Sequence, residues 1–249
     1  MRADEIKINR MYDEFAHLWP LISPAEGYAE EAAHWRRVLR DKLGPGRHEI
    51  LELGVGGGNN LSHLTNDFKA TAVDLSEKML ANSRQLNPDV EHHVGDMRSV
   101  RLGRTYQAVI IHDAINYMLT EDDIRATLAT VSAHLESGGV FVTSPDYTTE
   151  VFHDRMSAVK TRSDEVRTLN YVEYDYDPVP GDSQYECLFV YIISEGGQVR
   201  VEHDRHILGL FPKARWLELM EEAGFGSETY DYDVHPDGHE GYLFVGVKR

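Results

Sequence analysis

The feature that most constrains this chain is Glu52-Leu53-Gly54-Val55-Gly56-Gly57-Gly58-Asn59-Asn60, a glycine-rich stretch between an apolar run and a helical pattern. Glycines this dense let a chain turn sharply and bring its backbone close to a ligand. The run before it, Glu49-Ile50-Leu51-Glu52-Leu53, reads as a strand, and residues 59–66 read as a helix. The alternation then continues. Residues 70–74 form a strand, and 76–86 a helix with Ser76 as its N-cap. Residues 90–94 make a short strand and Ala108-Val109-Ile110-Ile111 a fully buried one. Residues 120–135 are helical up to the stop at Gly138-Gly139, and Val140-Phe141-Val142-Thr143 is another buried strand. Near-continuous apolar strands alternating with helices predict a parallel sheet covered on both faces.

Two segments depart from this rhythm. Residues 1–46 read as amphipathic helix, with Ile8, Met11 and Phe15 on one face and Tyr28, Ala32, Trp35 and Leu39 on a second helix. In residues 146–205, Tyr174-Asp175-Tyr176-Asp177-Pro178 is polar and aromatic. After it, residues 187–193 and 198–203 flank Glu195-Gly196-Gly197 as a hairpin. Residues 213–223 form a helix ended by Gly224, and two strands, 228–233 and 242–247, close the chain across a His/Asp/Gly loop. The expected organisation is an N-terminal helical lid at 1–46 and an α/β core at 47–145. An inserted β region at 146–205 and a completion of the core at 206–249 follow.

Charge narrows the partners. With 42 acidic and 25 basic residues the chain carries −17, so a phosphate backbone meets repulsion and nucleic acid is not expected as a substrate. No apolar run is long enough to span a bilayer, and residues 1–12 lack the apolar centre of a secretory signal. The single cysteine, Cys187, has no internal partner, which fits a reducing compartment, and the expected location is cytoplasmic.

A glycine turn alone does not separate cofactor classes. A dinucleotide fingerprint wants a third Gly or Ala where this chain has Asn59, and there is no Gly-Lys-Ser/Thr phosphate loop. Asp74 ends the second strand, where a carboxylate can accept both hydroxyls of a ribose; read alone, it equally suits the N-cap of the next helix. Gly95-Asp96-Met97 follows the third strand and offers an acceptor for an adenine amino group beside an apolar wall.

Taken together, these elements resemble the class I S-adenosylmethionine-dependent methyltransferase family. The residues that carry the likeness are 52–58, Val73-Asp74-Leu75-Ser76, Gly95-Asp96-Met97, Val109-Ile110-Ile111-His112-Asp113, residues 135–140 and Ala223-Gly224-Phe225. The resemblance implies a doubly wound α/β fold with a seven-stranded, Rossmann-like sheet, parallel except for its last strand. It also implies S-adenosylmethionine as cofactor and S-adenosylhomocysteine as its product. Carried over, Gly54, Gly56 and Gly58 line the methionine side, Asp74 holds the ribose and Asp96 the adenine. Glu52, Asn59 and the backbone of His112 serve the amino-acid end, and Leu75, Met79 and Met97 complete the set. Asn9-Arg10-Met11-Tyr12-Asp13-Glu14-Phe15-Ala16 is similar to the start of glycine and amino-sugar N-methyltransferases, which marks Tyr12 and Trp19 as lid residues. Residues 146–205 and the His206-Ile207-Leu208-Gly209-Leu210-Phe211 stretch resemble the amino-sugar group, where an inserted sheet roofs the substrate and contributes to a homodimer.

Methyl transfer from a sulfonium is a direct displacement, so alignment and exclusion of water matter most. The candidates for substrate contact are Trp19, Tyr117 and His206, and those for catalysis Tyr117, His112, Asp113 and His206. Each also has a plainer reading: Asp113 caps a turn, Tyr117 packs, His112 ends a strand. The acidic and aromatic runs at 171–177 and 230–233 suit an amine-bearing substrate or simply a solvated face. Neither His92-His93 nor His235 with His239 has metal-ligand spacing, so no metal is expected. The expected function is methylation of a nitrogen or oxygen of a small-molecule metabolite. A nicotinamide-dependent oxidoreductase and a non-catalytic cofactor-binding partner protein are the alternatives.

Overall fold

The computed structural model describes residues 6–232 and 241–249. Its larger sheet is built from β1 (Glu49–Leu53), β2 (Lys69–Asp74), β3 (Glu91–Val94), β4 (Tyr106–Ile111), β5 (Leu135–Thr143), β10 (Phe225–Tyr232) and β11 (Gly241–Lys248). The strand order is β10-β11-β5-β4-β1-β2-β3. The first five strands pair in parallel and β11 runs antiparallel to both its neighbours, so the sheet is parallel except for its last strand. The order reverses at β1, whose neighbours are β2 and β4, and this is the switch point where open α/β sheets bind ligands.

Apolar residues alternate between two cores, one on each face of this sheet. On one face Leu51, Val109, Ile111 and Phe141 pack against helices α5 (Glu121–His134) and α6 (Lys213–Glu222), with Trp216 fully buried. On the other, Ile50, Ala108, Ile110 and Val142 meet Trp35 and Leu39 of α2 (Ala29–Leu43) and Leu80 of α4 (Glu77–Leu86). Ser76 caps α4 as its sequence suggests, its hydroxyl accepting the Met79 N–H at 3.1 Å. The helix at 59–66 is shorter than expected: α3 covers Asn59–Ser62 only. No helix among the described residues is long and apolar enough to cross a membrane.

The second sheet is an antiparallel meander of β6 (Met156–Ser163), β7 (Arg167–Tyr176), β8 (Gln184–Glu195) and β9 (Gln198–Gly209). The hairpin around Glu195-Gly196-Gly197 is present, but β6 and β7 were not legible in the sequence. Their inward positions on β6 are Met156, Ala158, Lys160 and Arg162, so this strand lacks an apolar face to announce it. Strand β9 continues past residue 205, carrying His206 on the meander itself.

The N-terminal segment is not one amphipathic helix. Ile8 makes a bridge to Arg205, Asn9 takes a left-handed conformation, and short 3-10 turns at Arg10–Tyr12 and Ala16–Leu18 lead into α1 (Trp19–Ile22). A buried carboxylate on β9, Asp204, draws the backbone N–H groups of Arg10 and Met11 away from helical pairing. Met11, Phe15 and Leu18 still find an apolar surface, packing under the meander against Leu169, Tyr191 and Ile193. A 3-10 turn at Ala25–Tyr28 then leads into α2, with Tyr28 at its N-cap position rather than inside it. The loop joining β10 to β11, with His235 and His239, and Asp233 at the expected strand end lie outside the described residues.

Helix α5 is pinned at both ends. The Thr120 hydroxyl accepts the Asp123 N–H at 3.1 Å, and Lys248 Nζ donates to Ser132 O and Leu135 O at 2.7 and 2.8 Å. Thr120→Ala is expected to lower unfolding free energy by about 1 kcal/mol, read from the urea midpoint; an unchanged midpoint contradicts this cap.

Candidate active site

The glycine turn opens a cleft of about 620 Å³ at the carboxyl ends of β1, β2 and β4. Gly54 sits at φ +75°, and a Cβ there would lie 2.4 Å from Ala114 Cβ, so only glycine fits. Asp74 holds the turn open: its carboxylate accepts N–H groups from Gly56 at 2.7 Å and Ser76 at 2.8 Å. Burial raises its pKa against the pull of those two bonds. Since Ser76 caps α4, the alternative reading of Asp74 as that helix's cap falls away.

Several buried polar atoms face the cleft with nothing to bond. Glu52 is 2% exposed, one carboxyl oxygen has no partner, and burial pushes its pKa up to about 8. Both side-chain amide atoms of Asn60, and the indole N–H of Trp19, are likewise unpartnered. Asn59 differs, donating to Ser23 O at 2.7 Å and so tying the turn to the N-terminal segment. Trp19 packs so closely on Gly57 that a Cβ there would meet the indole at 2.1 Å. At the other end, Leu75 lies 70% exposed at the rim with Met97. Asp96 accepts from the Arg98 backbone at 2.8 Å and its guanidinium at 2.7 Å, and this pairing keeps the carboxyl below its usual range.

Tyr12, Asp113, Tyr117 and His112 also line this cleft, whereas Gly58 and Met79 do not. Gly58 faces backwards, where a Cβ would lie 2.4 Å from Asn87 and Ser83, and Met79 is fully buried behind Gly56. The His112 ring points away as well. Its Nε2 lies 2.8 Å from Glu31 and its Nδ1 3.3 Å from Asp113. Burial opposes its charge, but Glu31 and Asp113 outweigh that and raise the imidazole well above its ordinary value. A ring whose two nitrogens are already paired to carboxylates is poorly placed to take a proton from substrate, which counts against His112 as a base. Glu31, itself bonded to Tyr232 at 2.5 Å, gave no signal in the sequence because it sits among surface-like charges on α2.

A second chamber of about 280 Å³ adjoins the cleft beneath the meander. The two share Tyr12, Trp19, Tyr28, Asp113 and Tyr117, so these side chains form the partition between them. His206 lines only the second chamber. Here Tyr117 Oη stands 2.9 Å from Tyr12 Oη and 2.5 Å from His206 Nδ1, while His206 Nε2 lies 3.0 Å from Asp204. Burial, then the charge of Asp113, holds Tyr12 protonated far above its ordinary range; burial and Tyr12 itself do the same for Tyr117. Asp146, bonded to Asn116 at 2.6 Å, and Asp175 add carboxylates to the walls, and Lys160 and Arg162 stand on β6. The role of Asp204 was readable in principle, because Asp204 and His206 are two apart on a strand and share a face. Among the described residues no group of three or more His, Cys, Asp or Glu is placed to hold a metal. His92 instead bonds Ser83 and Val90 O, and His93 bonds Glu91.

The comparisons with known proteins agree with this geometry. A methyltransferase-domain family model matches residues 50–139. The chain is 32% identical over 242 residues to dTDP-3-amino-3,4,6-trideoxy-alpha-D-glucopyranose N,N-dimethyltransferase of Streptomyces venezuelae, covering 95% of this chain and 99% of that one. It is 28% identical to dTDP-3-amino-3,6-dideoxy-alpha-D-glucopyranose N,N-dimethyltransferase of Streptomyces fradiae, over 94% of this chain and 91% of that one. Among solved structures, Streptomyces venezuelae DesVI superposes with a TM-score of 0.82 at 29% identity, covering 94% of this chain and 98% of that one. CalS10 with SAM bound, an amino pentose methyltransferase from Micromonospora echinaspora, gives 0.76 at 27% identity over 89% and 92% of the two chains. Neither the oxidoreductase nor the non-catalytic alternative finds support in them. With the first of these relatives matched over nearly the whole of both chains at 32% identity, the chain belongs to the class I S-adenosylmethionine-dependent methyltransferases and is an enzyme whose methyl donor is S-adenosylmethionine.

Proposed function

We propose that this enzyme methylates the amine of a deoxyamino sugar carried on a nucleotide diphosphate, and that it does so in the cytoplasm. The observation that carries the reading is the second chamber, which meets the cofactor cleft at Tyr12 and Tyr117 and is walled by Asp113, Asp146 and Asp175. Carboxylates and phenols at the meeting point favour a cationic, hydroxylated ligand. Lys160 and Arg162 on β6 supply cations for its phosphates, and a guanidinium suits phosphate geometry. The names of the two relatives above describe substrates of this kind.

The unpartnered atoms of the cleft fit the cofactor's methionine end. Glu52 would accept from its ammonium and Asn60 would donate to its carboxylate, beside the His112 backbone. Asp74 would take the ribose hydroxyls and Asp96 the adenine amino group, with Leu75 and Met97 on the ring faces. Gly54 and Gly56 give the close approach, Asn59 fixes the turn, and Gly58 and Met79 support it from behind. When bound, the cofactor supplies an electrophilic methyl group on a sulfonium. Tyr12 and Trp19 close over the cleft and exclude water, and Tyr117 aligns the incoming nitrogen. His206, behind Tyr117, receives the proton an ammonium must lose before its lone pair can attack. Asp113, paired to His112, shapes the wall and attracts the substrate's charge.

A homodimer belongs to the same reading. Val159, Val199 and Val201 lie 55–72% exposed on the outward face of the meander, an apolar surface that a second copy would cover symmetrically. Light scattering should give twice the 28.3 kDa chain mass, and Val201→Asp should give monomers; a monomeric wild type rejects the contact.

The substrate assignment is tested with methyl-labelled cofactor and a panel of dTDP-linked amino sugars, their hydroxyl counterparts and free amino acids. Mass gain confined to the amino sugars is expected; transfer only to hydroxyl or amino-acid substrates overturns it. The cofactor contacts have their own test. At pH 7 the free Glu52 keeps its proton, and an ammonium beside it favours the carboxylate, so binding releases about one proton. Through this group affinity rises with pH and levels off above about 8. Calorimetry in buffers of different ionisation heat should show Glu52→Gln losing that proton and binding roughly tenfold more weakly. An unchanged proton count contradicts the assignment.

A further inference from the structure

We propose that Asp204 is a positioning residue that makes His206 the terminal proton acceptor for the substrate amine, and that it ties this capacity to the seating of the N-terminal segment over the cofactor. The inference rests on the amine-methylation reading. Asp204 has no exposed surface, yet three backbone N–H groups and one ring nitrogen converge on its carboxyl group. Oδ1 accepts from Arg10 N and Arg205 N, each at 2.9 Å, and Oδ2 accepts from Met11 N at 2.6 Å. His206 Nε2 lies 3.0 Å from Oδ2. The Arg10 guanidinium is turned elsewhere, to Glu14 and His203 O. The imidazole is the ring that meets this carboxylate, at 3.0 Å from Oδ2.

A tyrosine hydroxyl has one hydrogen, so Tyr117 can donate to Tyr12 or to His206 but not to both. With Asp204 holding the hydrogen on Nε2, a neutral His206 offers Nδ1 as an acceptor and Tyr117 donates to it. With the Tyr117 hydrogen turned to Tyr12, Nδ1 must carry a hydrogen of its own, and the ring is an imidazolium. The two arrangements differ by one proton. The substrate ammonium gives its proton to Tyr117 Oη as the Tyr117 hydrogen passes to Nδ1, and the freed lone pair forms the N–CH3 bond. The S–CH3 bond breaks with its electron pair remaining on sulfur, and the relay later returns its proton to water. One proton is released per methyl group.

Arg10 and Met11, whose N–H groups Asp204 accepts, begin the turn that carries Tyr12. The Tyr12 carbonyl in turn accepts from the Ser76 hydroxyl at 2.5 Å, next to Asp74. Lifting Tyr12 to admit cofactor strips two donors from a buried carboxylate. The relay is then complete only when the segment is seated.

The test uses the intact protein. Side-chain 15N spectra should place the His206 hydrogen on Nε2 in the wild type, and hydrogen exchange should find the Arg10 and Met11 amides protected. Asp204→Asn should lose both signatures and lower kcat on the amino-sugar substrate by roughly 100-fold. His206→Gln should keep the amide protection and lose the turnover. An Asp204→Asn protein with an unchanged His206 tautomer, and with kcat at saturating cofactor within twofold of wild type, overturns the proposal. The spectra and exchange need no turnover, so they support or refute the role of Asp204 even if the amino-sugar assignment fails.

Discussion

Asp74 accepting the backbone N–H groups of Gly56 and Ser76 is the interaction on which the rest of the site depends. It joins the exit of β1 to the exit of β2 and keeps a run of four glycines from collapsing into the space it encloses. A half-buried carboxylate is favoured where donors meet it, and those donors are the turn and the start of α4 themselves. The same two strands then present Glu52 and Leu75 to one cleft, and Ser76 reaches on to the carbonyl of Tyr12. Sheet, turn and N-terminal cover are thus one connected structure.

A second carboxylate, Asp204, does for the meander what Asp74 does for the sheet. It interrupts helical pairing at Arg10 and Met11, and so places Tyr12 where both chambers meet. The polarity of the smaller chamber follows from its walls. One side comes from loops after β4 and β5, with Asp113 and Asp146, and the other from the meander, whose inward face mixes Lys160, Arg162, Glu173 and Asp175 with buried Tyr171, Tyr185 and Cys187. The polar positions on β6 give this chamber charged walls beside the apolar clusters of the meander.

The sheet was legible because its strands are continuous apolar runs between helices, a pattern that burial on both faces enforces. The lining of the cleft was legible because a sharp turn demands glycine and the turn's N–H groups demand an acid at a strand end. Two of them, Gly58 and Met79, turned out to face away, since the motif marks the turn and not the direction of each residue. The N-terminal segment misled: Ile8, Met11 and Phe15 have helical spacing, but a distant carboxylate captures the backbone that spacing presupposes. Strand β6 was hidden because alternation shows only when one face is apolar, and β7 because Val172, Tyr174 and Tyr176 face the opposite way from the buried Leu169 and Tyr171, so neither face stands out. His112 looked like a base until Glu31, eighty-one positions earlier in the chain, was found beside it.

In the proposed reaction one chamber presents an amine to the other across Tyr12 and Tyr117. The most direct measurement is a crystal structure of the enzyme with S-adenosylhomocysteine and a dTDP-linked amino sugar bound together. The sugar nitrogen is expected within hydrogen-bond reach of Tyr117 Oη, facing the cofactor sulfur, with the phosphates towards β6. A sugar bound outside the smaller chamber, or one whose nitrogen points away from Tyr117, would contradict it.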